Sequence, residues 1–314
     1  MRTLITESPQ TAAAFIRRGQ LAAFPTETVY GLGADALNHE AVEKIYDVKG
    51  RPPDNPLIVH LESVDTIAPL VSEMTAAASK LVEAFFPGSL TLVLRKSDRV
   101  PDVVTAGLDT VGIRVPSHPI ARAFLQACAR PVAAPSANKS GSPSPTTWQA
   151  VMEDLGDLIP CVLQGGRSAV GLESTVVDCT LEPPQLLRQG VISIEDLCRV
   201  TPVEVGLGEP GLDLRRSPGL RHRHYAPRAR VELVDPASLE PEPDSAFIGL
   251  QAPADGSGFA AIRVCATVDE YAYELFQFFR ECDRRGIATI YCGRPPEEGI
   301  GRALVDRIER AGRR

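Results

Sequence analysis

Leu21-Ala22-Ala23-Phe24-Pro25-Thr26-Glu27-Thr28-Val29-Tyr30-Gly31-Leu32-Gly33-Ala34-Asp35-Ala36 is the stretch on which the fold of this chain turns. Its first four residues read as the start of a buried strand, and its last six satisfy the dinucleotide pattern G-x-G-x-x-A. That pattern marks a Rossmann phosphate site only where a strand runs straight into the glycines and a helix begins among them. Here Pro25-Thr26-Glu27-Thr28 interrupts the approach and the next helix waits for an N-cap at Asn38, so a dinucleotide role is set aside. What remains is polarity where a core strand should continue. The hydroxyls of Thr26, Thr28 and Tyr30 and the carboxylate of Glu27 suit a small polar ligand, although turn chemistry alone accounts for the same residues.

Outward from that turn, helical and extended patterns alternate over the first 200 residues. Helices are predicted over 9–18, 39–49, 75–86, 119–129 and 146–155; the second has Asn38 as N-cap and Gly50 just past its end. Extended runs fall at 57–60, 90–94, 111–115, 161–164, 174–179 and 185–188. This predicts a mixed α/β domain over 1–200 with a substantial sheet. From 201 to 229 the pattern dissolves into Gly, Pro and Arg, which reads as a linker. Strands at 230–234, 246–250, 260–264 and 287–291, with helices at 268–285 and 299–312, then predict a smaller, Rossmann-like parallel α/β domain over 230–314. Its central helix opens on a capping box, Thr267 with Glu270, and stops at Gly286.

Composition narrows the function classes. The 314 residues carry 33 Lys plus Arg against 40 Asp plus Glu, a net charge of −7, and both halves hold more acid than base. A dedicated nucleic-acid binder is usually basic. One segment departs from this: Arg215, Arg216, Arg221, Arg223, Arg228 and Arg230, with His222 and His224 and no carboxylate, make a local attractor for phosphate. The seven cysteines are scattered and odd in number, which fits reduced thiols better than a disulfide framework or a zinc site. No apolar run approaches the ~18 residues of a membrane span and Glu7 interrupts any signal-peptide core, so a cytosolic (cytoplasmic) protein with no membrane partner is expected.

Four further stretches carry candidate chemistry. Lys49-Gly50-Arg51-Pro52 ends a helix in a rigid positive corner suited to polyphosphate, although a helix C-terminus attracts cations for dipole reasons alone. Ala133-Ala134-Pro135-Ser136-Ala137-Asn138-Lys139-Ser140-Gly141 is a loop of hydroxyls and amides fit to wrap phosphate or ribose. It also holds Ser136-x-x-Lys139, the spacing of a serine nucleophile and lysine base, but Pro135, Gly141 and Pro143 make the helical turn that pairing needs a poor one. Gly171-Leu172-Glu173-Ser174-Thr175 is a second glycine-flanked hydroxyl cluster, and Arg188 ends the strand after it. Metal ligation by His222 and His224 carries little weight within an arginine run.

Taken in order, five motifs resemble the YrdC-type L-threonylcarbamoyladenylate synthases, in the long form with an extra C-terminal domain. They are Pro25-Thr26-Glu27-Thr28-Val29-Tyr30-Gly31-Leu32-Gly33, Lys49-x-Arg51-Pro52-x-x-Asn55-Pro56-Leu57, Pro135-Ser136-Ala137-Asn138-x-Ser140-Gly141, Gly171-x-Glu173-Ser174-Thr175-Val176 and Ser217-Pro218-Gly219-x-x-x-x-His224-Tyr225-Ala226-Pro227. The resemblance implies a twisted sheet with a concave positive face. It implies synthesis of threonylcarbamoyl-AMP and pyrophosphate from L-threonine, bicarbonate and ATP with Mg²⁺, serving threonylcarbamoyladenosine formation beside the tRNA anticodon through a downstream transferase machinery. It assigns the threonine pocket to Thr28, His60, Arg114, Ala134 and Ser174, and ATP contacts to Arg51, Asn55, Thr110, Ser136, Ser144, Arg188 and Tyr225. Lys49 and Arg51 are then the candidates for stabilising phosphate charge, and the arginine-rich linker a strap over the site. No acid/base pair is named. Two other readings stand beside it: an RNA-binding module without turnover on the concave face, and an acyl transferase using Ser136 and Lys139.

Overall fold

The computed structural model describes residues 2–206, 216–217, 224–240, 242–254 and 258–313. Eleven strands of the first domain form one mixed sheet. They are β1 (Leu4–Thr6), β2 (Ala22–Phe24), β3 (Gly31–Asp35), β4 (Ile58–His60), β5 (Leu90–Arg95), β6 (Thr110–Arg114), β7 (Val132–Ala134), β8 (Cys161–Leu163), β9 (Thr175–Asp178), β10 (Gln185–Arg188) and β11 (Glu204–Val205). The order across the sheet is β1-β8-β2-β3-β7-β4-β6-β5-β9-β10-β11. The sheet therefore takes in residues beyond the expected boundary at 200.

Helices α1 (Pro9–Arg17), α2 (His39–Lys49), α3 (Ala76–Phe85), α4 (Asp102–Thr105), α5 (Pro119–Cys128), α6 (Trp148–Leu155) and α7 (Ile194–Val200) belong to the same domain. On one face Ala12 and Ile16 of α1 and Phe124 and Leu125 of α5 pack with Ala22 and Phe24. On the other, Val42, Ile45, Leu81, Val151 and Leu197 pack with Ala23 and Leu32. Successive strand residues thus go to opposite cores, which is why these strands are buried throughout and lack a polar alternation.

β2 and β3 pair antiparallel, Phe24 against Gly31, so the polar stretch 25–30 is the connection of a hairpin. Where a dinucleotide site would begin its helix, this chain has β3. A Cβ on Gly33 would lie 2.8 Å from Val132 Cγ1, so that glycine serves close strand packing. Gly50 ends α2 in the left-handed conformation at φ 60°, turning the chain so that Lys49 and Arg51 part company within one residue.

In the second domain β12 (Arg230–Val234), β13 (Ser245–Gly249), β14 (Ala261–Val264) and β15 (Thr289–Gly293) form a wholly parallel sheet in the order β12-β15-β13-β14. It packs with α8 (Val268–Arg285) and α9 (Ile300–Gly312). Thr267 caps α8 as expected, but the Glu270 carboxylate accepts from the Ala266 amide rather than closing the box on Thr267. The core of this domain runs on into the first: Val29, Leu172 and Tyr225 share a cluster with Phe276, Phe279 and Ile308. Gly171, at φ 84°, lies so close to α8 that a Cβ there would be 2.7 Å from the Ala272 carbonyl oxygen. Arg280–Asp154 (2.8 Å), Arg167–Glu274 (2.8 Å) and Arg302–Glu195 (2.6 Å) tie the domains together.

The arginine-rich strap falls mostly outside the described residues. Of it, Arg216 pairs with Asp178 at 3.0 Å, and residues 224–229 run from the cavity to β12. Six cysteines are buried thiols and Cys198 is exposed. Among the described residues no helix is long and apolar enough to cross a membrane.

Candidate active site

The strand ends converge on one cavity. β4 and β6 run parallel with His60 opposite Arg114, and β7 runs against β4 with Ala134 opposite Ile58. The hairpin connection, with Gly31 at the head of β3, forms one side, Glu173 and Ser174 enter just before β9, and Arg188 stands at the end of β10. His224 and Tyr225 complete the lining. The cavity measures about 560 Å³ with its mouth included.

Of the thirteen residues that the resemblance assigns to the site, nine line it: Thr28, Arg51, His60, Arg114, Ala134, Ser136, Ser174, Arg188 and Tyr225. Lys49, Asn55, Thr110 and Ser144 do not. Lys49 is buried behind the 136–138 loop, its Nζ donating to the carbonyls of Ser136 (2.7 Å) and Asn138. The Asn55 carbonyl accepts from Arg51 Nε at 3.1 Å, and Pro56 accepts from Arg51 Nη2 at 2.8 Å, which aims that guanidinium. Thr110 begins β6 four residues before Arg114, about 13 Å away along an extended strand. Ser144 acts one step back, its hydroxyl donating to Glu173 Oε1.

Arg114 anchors one end. Its Nη1 donates to Thr28 Oγ1 at 2.8 Å, Nη2 to Glu27 Oε1 at 2.6 Å and Nε to the Gly88 carbonyl at 3.2 Å. Burial alone would raise the Glu27 carboxyl, but the charge and hydrogen bonds of Arg114 outweigh it and hold the group below its usual range. His60, packed edge-on to Phe24, is pushed down to about 3 by burial and by the charge of Arg114, so the ring is neutral.

The other end is cationic. Arg188 donates to Ser174 twice, Nε to the carbonyl at 3.0 Å and Nη2 to Oγ at 3.1 Å, and the Ser174 hydroxyl also meets Thr91 Oγ1 at 2.8 Å. His224 is held well below its usual range by burial and then by Arg51, Lys49, Arg188 and Arg307, and its Nδ1 is buried without a hydrogen-bond partner among the described residues. Tyr225 adopts φ 65°, a strained backbone for a residue with a side chain, and stacks on Phe276 with ring centroids 5.5 Å apart.

Ser136 and Lys139 do not meet as nucleophile and base. Ser136 lines this cavity and its hydroxyl bonds Asn138 Oδ1 at 2.5 Å, whereas Lys139 is exposed and lines a separate groove with Glu153 and Arg284. The segment between them forms no helix. Thr26 and Tyr30, read from the sequence as suited to a small polar ligand, also line the cavity, whereas sequence reasoning gave no role of their own to Glu173 and Arg307. Glu173 was visible within its motif. The signal for Arg307 was an arginine on the apolar stripe Ala303, Leu304, Ile308, Ala311 of α9.

Fold and site together define a YrdC-type α/β domain completed by a second, parallel domain. Residues 14–190 match the family that takes in Sua5, YciO and YrdC and is described as telomere recombination. Residues 192–312 match the threonylcarbamoyl-AMP synthase C-terminal domain. The threonylcarbamoyl-AMP synthase of Pyrococcus abyssi is 43% identical over 317 residues, spanning 96% of this chain and 92% of that protein. That of Bacillus subtilis is 38% identical over 326 residues, 98% and 94% of the two chains. The crystal structure of P. abyssi Sua5 complexed with L-threonine superposes with a TM-score of 0.90 at 39% identity, covering 99% and 98%. The chain belongs to the Sua5 family of threonylcarbamoyl-AMP synthases, in its two-domain form.

Proposed function

We propose that this chain condenses L-threonine, bicarbonate and ATP into threonylcarbamoyl-AMP and pyrophosphate. The observation that carries the reading is that one cavity joins an arginine held by Thr28 and Glu27 to a cationic wall of Arg51 and Arg188. The threonine bound to the P. abyssi protein supports the substrate. Arg114 suits its carboxylate, and the hydroxyls of Thr28 and Ser174 its polar groups.

The threonine amine takes its carboxyl group from bicarbonate with loss of water. An oxygen of the resulting carbamate then attacks the α-phosphorus of ATP, the bond from that phosphorus to the bridging oxygen breaks, and pyrophosphate leaves. Negative charge accumulates on the phosphates, and Arg51 and Arg188 in the cavity wall are the cations that would offset it. Lys49 contributes by bracing the 136–138 loop. His60, its pKa pushed down to about 3, is a poor proton acceptor at neutral pH, and this reading names no acid/base pair and assigns the acceleration to positioning. Glu173 in the cavity wall and Glu27 behind it are both engaged by arginines, so Mg²⁺ enters this reading as the ion carried on the ATP phosphates. The reading includes a cytoplasmic location, a downstream transferase that moves the threonylcarbamoyl group to tRNA, and RNA contact on the concave face of the sheet.

The test is pyrophosphate release from Mg-ATP with L-threonine and bicarbonate each omitted in turn. Release is expected only with both present; release without threonine would overturn the assignment. Salt-dependent tRNA binding by the same preparation reads the RNA part separately.

A further inference from the structure

The second domain sends one charged side chain into the wall behind the cavity. Arg307, on α9, is fully buried. Its Nε donates to Glu173 Oε2 at 2.9 Å and its Nη2 to the Gln189 carbonyl at 2.8 Å, while Nη1 pairs with Asp306 on the same helix. The guanidinium carbon lies 5.2 Å from the centre of the Tyr225 ring. Glu173 and Tyr225 both line the cavity; Arg307 does not.

A carboxylate in the wall of a site for a polyanion opposes that ligand unless a counter-charge is fixed beside it. Glu173 also needs acceptors' partners for both oxygens once buried, and Ser144 supplies one while Arg307 supplies the other. Arg307 further gives Tyr225 a cationic backing on top of its stack with Phe276, which bears on where a residue with a strained backbone rests. Burial disfavours the charged guanidinium, but Tyr225, Glu173 and Asp306 outweigh it and Arg307 stays charged.

We propose that Arg307 is a positioning residue for the nucleotide site, supplied by the second domain, which acts through Glu173 and Tyr225 to set the affinity of the cavity for ATP. This rests on the synthase reading above. It assigns the second domain a direct part in the chemistry of the first.

The test uses the full chain and measures Mg-ATP affinity by calorimetry for the wild type, Arg307→Gln, Arg307→Lys, Glu173→Gln and the Arg307→Gln/Glu173→Gln double variant. Arg302→Gln, at the exposed interdomain pair with Glu195, is the control. Arg307→Gln is expected to weaken ATP about tenfold, the scale of a lost hydrogen bond to a charged group. Arg307→Lys should recover part of that, and removing the Glu173 charge from the Arg307→Gln chain should restore most of it. Arg302→Gln should stay within about twofold of wild type. A role in packing alone predicts no rescue by Glu173→Gln, and that result overturns the proposal, as does a wild type that binds no ATP. Should Arg307→Gln fail to fold, the same rescue is read in Arg307→Lys. Wild-type chain that binds ATP but releases no pyrophosphate counts against the synthase reading and leaves the affinity series to decide Arg307.

Discussion

Arg114 reaches the cavity with all three of its nitrogens hydrogen-bonded, and of those three acceptors Glu27 alone is charged. Removing one partner of a buried pair strands the other, so Glu27→Gln is expected to cost about 3 kcal/mol in urea unfolding. It should also raise the KM for L-threonine more than it lowers kcat, because the fork proposed to meet the carboxylate loses its brace. The pH dependence follows from the same contact. The folded pKa of Glu27 lies below its ordinary 4.5, so its contribution is complete above about 4.5 and is lost as pH falls through the lowered value. Glu27→Gln should flatten that limb of the stability curve. His60 acts higher up: its pKa is about 3 folded against 6.5 unfolded, so below 6.5 the unfolded chain takes up a proton that the folded chain refuses. Stability should fall as pH drops from 6.5 towards 3, and His60→Gln should shrink that fall; an unchanged slope in the variant would sink the assignment.

At the scale of elements, the parts legible in the sequence were those with local chemistry. Asn38 and Gly50 bracket α2 because a side chain caps one end and a left-handed residue closes the other. A Cβ at Gly50 would meet nothing within 4 Å, so Gly50→Ala pays only for backbone strain, about 1 kcal/mol. Because that residue turns Arg51 towards the cavity, the same substitution should raise the KM for ATP, and steady-state kinetics beside unfolding curves will separate the two effects. β1, β3 and β7 escaped sequence reasoning for a physical reason. They are short, rich in Gly and Ala or lying at an edge, and β3 and β7 are buried on both faces, so no period of two marks them. α7 was missed although it carries the one complete capping box recorded among the described helices, Ser193 with Asp196. The candidate site was legible as motifs. Its depth was not: nothing local in Lys49, Asn55 or Ser144 says that each stands one layer behind the cavity wall.

For the whole molecule, the interface between domains is part of the second domain's core, which Val29 and Leu172 of the first domain join. Gly171 combines φ 84° with a Cβ position 2.7 Å from the backbone of α8. Gly171→Ala is therefore expected to push the domains apart and cost about 3 kcal/mol, with calorimetry resolving two transitions where the wild type has one. A chain of residues 1–206 would uncover Val29 and Leu172 and lack Tyr225 and Arg307. It should bind a hydrophobic dye and make no threonylcarbamoyl-AMP. Arg307 also has a consequence in time. Ribosomes deliver a chain from its N-terminus, and the sheet itself waits for β8 before β1 has a neighbour, Leu4 against Cys161. Every residue lining the cavity has emerged well before α9, so a nascent chain holds Glu173 in the cavity wall without its counter-charge until Arg307 arrives. On the proposal above, translation times the completion of the nucleotide site to the delivery of α9, and a product cut short before that helix lacks the counter-charge of Glu173.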